Sequence, residues 1–165
     1  MQQVNLSQDI YYLGVNDRRT HLFENLWPIP YGISYNSYLI VDEKVTLIDT
    51  VERAFIDDYF DSIDRILGDR QVDYLVINHM EPDHSGALNA IVRRYPGITL
   101  VGNKKTFGIA ENYYHSPVNT LVVKDDFVLD LGRHKLQFQT IPMVHWPETM
   151  VTYEETNKIV FSGDA

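Results

Sequence analysis

The sequence predicts a single mixed α/β (α+β) domain with more sheet than average. Three observations support this prediction: strand-like and helix-like segments alternate as far as residue 123, strand-like segments then pair locally, and the 165-residue chain is 44% hydrophobic and 12% aromatic. The length fits one domain and is short for two. The composition is sufficient for a real core and excludes general disorder.

The predicted strands are runs of β-branched, aromatic and other apolar residues. The run at 72–78 is nearly continuous, as expected of a strand buried on both faces. Hairpins are predicted where two runs flank a short polar turn such as Asp42-Glu43-Lys44. Apart from one strand, the first thirty residues are expected to be an irregular loop. The predicted strands are residues 10–13, 37–41, 45–49, 72–78, 98–101, 120–123, 127–131, 135–141, 151–153 and 158–161.

Helices are predicted where apolar residues repeat at helical spacing. In the first helix Phe55, Tyr59 and Ile63 follow this spacing, and Gly68 supplies the stop. Residues 79–85 are expected to be a loop between a buried strand and the second helix. The predicted helices are residues 52–67, 86–95 and 104–114.

Composition excludes several classes of function. The chain has no cysteine, which excludes disulfides, thiolate zinc sites, thiol nucleophiles and iron–sulfur clusters ligated by this chain. Fourteen basic and twenty-three acidic residues give a net charge of -9, which makes nucleic acid and anionic membranes poor partners. No apolar run approaches the ~18 residues of a membrane span. A cytoplasmic or similarly reducing location is expected.

The loop after the fourth predicted strand carries the clearest chemistry. Four potential metal ligands fall within six positions there: His79, Glu81, Asp83 and His84. Alternation along an extended chain puts the first three on one side, and a turn after Asp83 can bring His84 to the same cavity. The alternative is capping and solvation at a helix start, with Asp83 or Ser85 as N-cap. We favour a cation, because two histidines and two acids crowded together repel or go unsatisfied without one.

Two further candidates, His145 and Asp164, follow other predicted strands. Strand-end loops are the usual place for sites in such folds, so all three loops are expected to open at one edge. Taken alone, His145 also fits a core imidazole beside Trp146, and Asp164 also fits a turn aspartate. Nitrogen and oxygen donors without sulfur suit iron, manganese or zinc. Six ligands exceed what one tetrahedral ion needs, so two ions are predicted, with Asp164 as the candidate bridge.

The string His-x-Glu-x-Asp-His-x-Gly at residues 79–86 resembles the signature of the flavodiiron proteins, a redox branch of the metallo-β-lactamase superfamily. The hydrolytic branch typically has His at the second position, where this chain has Glu81. A carboxylate there adds negative charge and favours redox iron over hydrolytic zinc. The resemblance extends over the whole chain and includes residues 34–40, 145–148 and 161–165.

The resemblance implies both a ligand set and a fold. By position, the matches are His79, Glu81 and His145 for one iron, Asp83 and His84 for the second, and Asp164 for the bridging carboxylate. The implied fold is a metallo-β-lactamase-like αββα sandwich, incomplete at its C-terminus. The family places one more histidine ligand, further strands and a flavodoxin-like FMN domain after this point. Residues 1–165 are therefore expected to be the N-terminal part of a diiron domain.

The implied function is reduction of dioxygen to water, of nitric oxide to nitrous oxide, or both, at two iron ions with electrons from FMN. The implied partners are a rubredoxin-like or flavin reductase electron donor and a second copy in a head-to-tail homodimer. A dinuclear zinc hydrolase of the same superfamily is the rival enzyme. A folded module that binds metal weakly or not at all is the third alternative.

Several other residues carry smaller expectations. Asp49 is expected to orient the metal loop. Many family members have a histidine near the metals where this chain has Glu24, and whether the nearby His21 substitutes stays open. His134, in a hairpin turn, is expected to be exposed, and His115 is expected to cap or solvate a helix end. Four aromatic residues are expected to pack rather than carry electrons: Trp27, Tyr31, Tyr35 and Trp146.

Overall fold

A computed structural model of the chain describes residues 4–113 and 119–165, so His115 lies outside the described residues. No helix in the described ranges has the length and apolar character to cross a membrane. The strands of the described part are β1 (Val4–Asn5), β2 (Ile10–Tyr12), β3 (Val15–Asp17), β4 (Leu22–Phe23), β5 (Trp27–Pro28), β6 (Ile33–Tyr35), β7 (Tyr38–Ile40), β8 (Thr46–Ile48), β9 (Tyr74–Val76), β10 (Thr99–Gly102), β11 (Asn119–Val122), β12 (Val128–Asp130), β13 (Lys135–Thr140), β14 (Met150–Glu154) and β15 (Ile159–Phe161).

The helices follow the predicted apolar spacing. In the first helix Tyr59 and Ile63 are fully buried one turn apart, and Asp57 and Asp58 lie in the first turn, where the helix dipole favours acids. Gly68 ends this helix with a φ of 55°. The helices are α1 (Ile56–Leu67), which follows a 3₁₀ turn at Arg53–Phe55, α2 (Pro82–Ser85), α3 (Leu88–Arg94) and α4 (Lys104–Tyr113).

The strands form two main sheets. The larger sheet has the order β1-β2-β7-β8-β9-β10-β11, and the smaller sheet has the order β12-β13-β14-β15. Strands β8 to β11 run parallel to one another, whereas the smaller sheet is antiparallel throughout. The carboxyl ends of the four parallel strands therefore lie along one edge of the larger sheet.

Two hydrophobic cores define the layers. Leu47 and Leu75 of the larger sheet belong to a core that includes Tyr59 and other helical residues. Their strand neighbours Ile48 and Val76 belong to a second core, which includes Phe138 and other residues of the smaller sheet. Because successive strand residues face opposite sides, the helices cover one face of the larger sheet and the smaller sheet covers the other. These are three layers of the predicted αββα sandwich, in the order helix, sheet, sheet.

His134 is buried, so the prediction that it is exposed is wrong. Only 3% of its surface is accessible. Its backbone N–H donates to Asp42 Oδ2 over 2.7 Å, and its Nδ1 lies 3.0 Å from Glu154 Oε1. Asp42 lies in the turn between β7 and β8, so this turn of the larger sheet packs against the hairpin of the smaller sheet that carries His134. This contact joins residues 92 positions apart.

The first thirty residues are more ordered than predicted. Short strands pair there, β1 with β2, β3 with β6 and β4 with β5. Trp27 and Tyr31, which were expected to pack, are 65% and 93% exposed. Tyr35 and Trp146 do pack: Tyr35 is buried with its ring 5.6 Å from that of Phe55, and the ring of Trp146 lies 5.2 Å from that of His79.

Candidate metal centre

The loop between β9 and α3 holds four of the six predicted ligands. His79 and Glu81 lie on its extended part, and Asp83 and His84 lie in the single helical turn α2. Proline suits the first helical position because it has no N–H to leave unpaired, and Pro82 begins α2. All four residues are almost fully buried, with exposed fractions of 0% to 6%. The segment predicted to be a plain loop therefore contains one turn of helix.

One group of side chains gathers around Glu81. Its Oε2 lies 3.0 Å from His79 Nε2 and 2.7 Å from His145 Nε2. Asp164 completes the group, and one nitrogen or oxygen atom from each of the four residues lies within 4.8 Å of the others. His145 and Asp164 come from the smaller sheet's loops, so this group joins segments separated by more than sixty residues.

A second group consists of Asp83, His84 and Asp164. His84 Nε2 lies 2.8 Å from Asp164 Oδ1 and 3.7 Å from Asp83 Oδ2. Gly163, with a φ of 57°, provides the left-handed turn that precedes Asp164. Asp164 thus belongs to both groups, and the structure brings all six predicted residues together.

Carboxylates behind the histidines fix their orientation. Glu148, 1% exposed, has its Oε1 2.9 Å from His79 Nδ1, and the same oxygen accepts the Met80 N–H over 3.0 Å. Asp49 Oδ2 lies 3.6 Å from His84 Nδ1. The Glu148 contact engages His79 Nδ1, so His79 Nε2 faces the first group, as in metal-bound histidines supported by carboxylates. The Asp49 contact is longer than a hydrogen bond, and among the described residues His84 Nδ1 has no hydrogen-bond partner, while His84 Nε2 faces the second group.

Electrostatics in the two groups is dominated by crowded carboxylates. Burial raises the pKa of Asp83 to about 6, and the charges of Asp164 and Glu81 add to this rise. Burial lowers the pKa of His84, but hydrogen bonding to Asp164 and the charge of Asp49 outweigh burial and raise that pKa to about 11. The hydrogen bond from His84 in turn lowers the pKa of Asp164. Positive charge is therefore favoured at this position.

The donor set fits metal cations. Asp83 Oδ1 is buried and has no hydrogen-bond partner among the described residues, which a cation would supply. Ligand atoms on opposite sides of an ion, each about 2.1 Å from it, are about 4.2 Å apart. In each group the candidate ligand atoms all lie within 4.8 Å of one another, so one ion can reach them all. Three imidazoles and three carboxylates, without sulfur, suit iron, manganese or zinc.

Two details of the site differ from expectation. Alternation along the chain placed Asp83 with His79 and Glu81, but Asp83 groups with His84 because α2 turns the chain at Pro82. The support of His79 by Glu148 was missed. The one feature of the sequence that points to Glu148 is its position three residues after His145. That position does not predict a contact with His79, which lies 69 positions earlier in the chain. Asp49 lies where it was expected, against the metal loop.

Glu24 lies near the second group, on the turn between β4 and β5. A cavity of about 370 Å³ is lined by this turn and by Asp83 and Pro82, and Glu24 is among its lining residues. Glu24 has a φ of 51°, which is uncommon for a residue other than glycine. His21 is exposed and does not line this cavity.

Together, the layered sheets and the ligand loops at one edge define a metallo-β-lactamase-like domain. The model of the family described as "ODP family beta lactamase" matches residues 33–165. The chain belongs to this family.

Curated relatives carry flavoprotein names. The chain is 40% identical over 134 residues to "Diflavin flavoprotein A 1" of Synechocystis, covering 81% of the chain and 23% of that protein. It is 34% identical to "Flavo-diiron protein FprA2" of Clostridium acetobutylicum, covering 99% of the chain and 42% of that protein. It is 35% identical to "Anaerobic nitric oxide reductase flavorubredoxin" of Aliivibrio fischeri, covering 98% and 33%. The chain thus spans less than half the length of these relatives.

Solved structures give the same assignment of fold. The flavodiiron protein from Giardia intestinalis matches with a TM-score of 0.91 and 31% identity, over 98% of this chain and 40% of that chain. The rubredoxin:oxygen oxidoreductase from Desulfovibrio gigas matches with a TM-score of 0.87 and 31% identity, over 92% and 38%. The predicted metallo-β-lactamase-like fold and the predicted flavodiiron kinship are confirmed.

Proposed function

We propose that this chain is the metal-binding part of a non-haem diiron oxidoreductase that reduces dioxygen to water, nitric oxide to nitrous oxide, or both. The ligands of one iron are His79, Glu81 and His145, those of the second are Asp83 and His84, and Asp164 bridges the two. The observation that carries this proposal is the membership of Asp164 in both groups. A carboxylate shared between two sets of ligands is what a two-metal site requires.

The relatives' names support redox chemistry at this site. One relative is named a flavo-diiron protein and another a nitric oxide reductase, and one structural neighbour is named an oxygen oxidoreductase. When bound, a pair of iron ions supplies electrons and open coordination positions for a small gas molecule. The carboxylate of Glu81, rather than a third imidazole, adds negative charge to the first group and favours the more highly charged states of iron.

The protein's own residues orient the ligands and shape the access to them. Glu148 holds the His79 ring through Nδ1, so Nε2 faces the metal position. His79 and His84 are buried, whereas the side chains of His145 and Asp164 are 45% and 38% exposed.

The remaining parts of the proposal concern the whole protein. We propose that residues 1–165 form the N-terminal part of the diiron domain and that FMN sits in a flavodoxin-like domain outside this chain. A rubredoxin-like or flavin reductase partner would reduce that FMN, and a head-to-tail homodimer would bring it to the irons of the other copy. A cytoplasmic location fits this chemistry.

Metal analysis of the intact protein tests the proposal. The expected result is two irons per chain, together with consumption of dioxygen or nitric oxide when reduced FMN is supplied anaerobically. Two zinc ions without iron, with hydrolysis of a generic ester or lactam and no gas consumption, would establish the zinc hydrolase instead. Absence of any bound metal would refute both enzymes.

A matched pair of variants tests the ligand assignment. His145→Ala is expected to lose one of the two irons and gas consumption, because His145 belongs to the first group only. His21→Ala removes an exposed imidazole that touches neither group and is expected to keep both irons. Equal iron content in the two variants would contradict the role of His145.

A further inference from the structure

A second cavity opens at the carboxyl ends of β10 and β11, outside the metal centre. Its volume is about 490 Å³, and none of the six proposed metal ligands lines it. Asn103, directly after β10, and Val122, at the end of β11, form part of its wall. Crevices at the carboxyl ends of parallel strands are the usual binding positions in open α/β sheets, and this volume suits a small organic molecule.

Three of the residues that line this cavity are exposed lysines, in a chain whose net charge is -9. Lys104, Lys105 and Lys124 all line it. Lys105 Nζ donates to the Pro147 carbonyl over 3.2 Å. For Lys104 and Lys124 the described part of the chain offers no acid within ion-pair distance. Among the residues that the structure describes, these two lysines therefore have no ion-pair partner.

One acid, Asp125, is among the residues that line the cavity, and its negative charge offsets one of the three lysine charges. Asp125 accepts hydrogen bonds from the backbone N–H and the hydroxyl of Thr140, both over 2.7 Å. Its carboxylate is therefore engaged with β13 rather than with α4. The other lining residues include Val122, Val123 and two prolines, so the cavity combines lysines with a mainly apolar wall.

The wall of this cavity is also the loop that carries His145. Pro147 and Thr149 face the cavity, while Glu148 between them holds His79. Asn103 Nδ2 donates to the Glu148 carbonyl over 2.5 Å, which fixes this loop against the start of α4. A molecule in the cavity would therefore contact the segment that positions a metal ligand.

We propose that this cavity, which we call the lysine cavity, binds a phosphate monoester of a small organic molecule. A phosphate monoester carries about -1.5 to -2 charges at neutral pH, which matches the excess of positive charge that Lys104, Lys105 and Lys124 have over Asp125 in the lining. Lysine binds phosphate as a point charge. The valine and proline walls accommodate the organic part. This proposal does not depend on the identity of the metals.

Calorimetric titration of the intact protein with phenyl phosphate tests this proposal. Phenyl phosphate is expected to bind at one saturable site, more tightly than benzoate, which has a single charge, or inorganic phosphate, which has no apolar part. Phenol is expected not to bind measurably. Because the contacts are ionic and partly exposed, affinity should fall as salt rises.

Paired substitutions locate the binding. Lys104→Gln with Lys124→Gln is expected to weaken phenyl phosphate binding by about tenfold or more, because charged hydrogen bonds contribute more than neutral ones. Lys135→Gln with Lys158→Gln removes the same charge from the smaller sheet, away from the cavity, and is expected to change affinity less than about twofold. Thermal unfolding checks that both proteins are folded.

Several outcomes would overturn the proposal. They are the absence of saturable phenyl phosphate binding, an equal loss in both double variants, or equal affinity for phenyl phosphate and inorganic phosphate. Because the measurement is of binding and not of turnover, these outcomes are independent of the diiron function. A protein that holds two irons but fails this titration would refute the lysine cavity alone.

Discussion

Replacing Glu148 by glutamine removes one buried negative charge and keeps the size of the side chain. Glu148 Oε1 faces His79 Nδ1 at 2.9 Å and accepts the Met80 N–H at 3.0 Å. Burial raises the pKa of Glu148, but the hydrogen bond from His79 and backbone N–H groups outweigh burial and leave that pKa below its usual value. The side chain is therefore a carboxylate at neutral pH, and glutamine changes its charge.

The expected magnitude follows from these two hydrogen bonds. Hydrogen bonds to a charged group contribute about 1.5–3 kcal/mol each, and neutral ones contribute about 1 kcal/mol. The substitution should therefore weaken the two hydrogen bonds, to His79 and to the Met80 N–H, by roughly 1–4 kcal/mol in total. Loss of a carboxylate that supports a metal-bound histidine typically lowers metal affinity by about 10–100-fold. That range corresponds to about 1.4–2.7 kcal/mol, which agrees with the sum over the two bonds.

Iron affinity is measured by competition with a chelator, and stability by urea denaturation. Glu154→Gln is the matched control, because Glu154 is also buried and faces a histidine, with its Oε1 3.0 Å from His134 Nδ1. Glu148→Gln should lower both stability and iron affinity. Glu154→Gln should lower stability and leave the iron affinity unchanged.

Two results would refute this reasoning. If Glu148→Gln kept the iron affinity of the natural sequence within about twofold, Glu148 would not position His79 for metal. If both variants lost iron affinity equally, the loss would follow general destabilisation rather than the His79 contact.

Three further predictions concern stability, each measured by urea denaturation. Burial raises the pKa of Glu154, but hydrogen bonds from Asn157 and His134 outweigh it and hold that pKa below its usual value of about 4.3. The ionised Glu154 stabilises the folded protein above that value, and this stabilisation is lost as pH falls through the folded-state pKa. The free energies of unfolding of Glu154→Gln and of the natural sequence should therefore become equal in acid. A difference that stays constant with pH would contradict this. Asn103→Ala removes an N-cap that accepts two backbone N–H groups of α4 and also leaves the buried Glu148 carbonyl without the Asn103 N–H, so it should cost about 2–4 kcal/mol; an unchanged midpoint would contradict the cap. Ile63→Ala empties a fully buried position and should cost about 2–5 kcal/mol, whereas a cost below about 1 kcal/mol would contradict the packing of α1 on the larger sheet.

Local patterns in the sequence were sufficient for most of the fold. The spacing of Phe55, Tyr59 and Ile63 predicts α1, and these residues are buried as that spacing requires. The apolar run at 72–78 predicts a strand buried on both faces, and β9 lies in the middle of the parallel part of the larger sheet. Both patterns involve residues that are close together in the chain, so the sequence alone is sufficient to predict these two elements.

The misses come from contacts between distant segments. His134 follows Gly132 and Arg133 in a turn, which locally indicates exposure, but it is buried by contacts with Asp42, in the turn between β7 and β8, and Glu154, at the end of β14. The short strands of the first thirty residues have only two or three residues each, too few for a clear alternating pattern, and β2 and β3 pair with β7 and β6 beyond residue 30. The ligand types of the site could be recognised, but the helical turn that separates Asp83 from Glu81 depends on three-dimensional packing.

Anomalous diffraction from crystals of the intact protein, recorded on both sides of the iron absorption edge, tests the central claim most directly. The account predicts two iron peaks, one among His79, Glu81 and His145 and the other beside Asp83 and His84, with Asp164 in contact with both. A single peak, peaks whose height does not change across the iron edge, or iron located away from these six residues would contradict it.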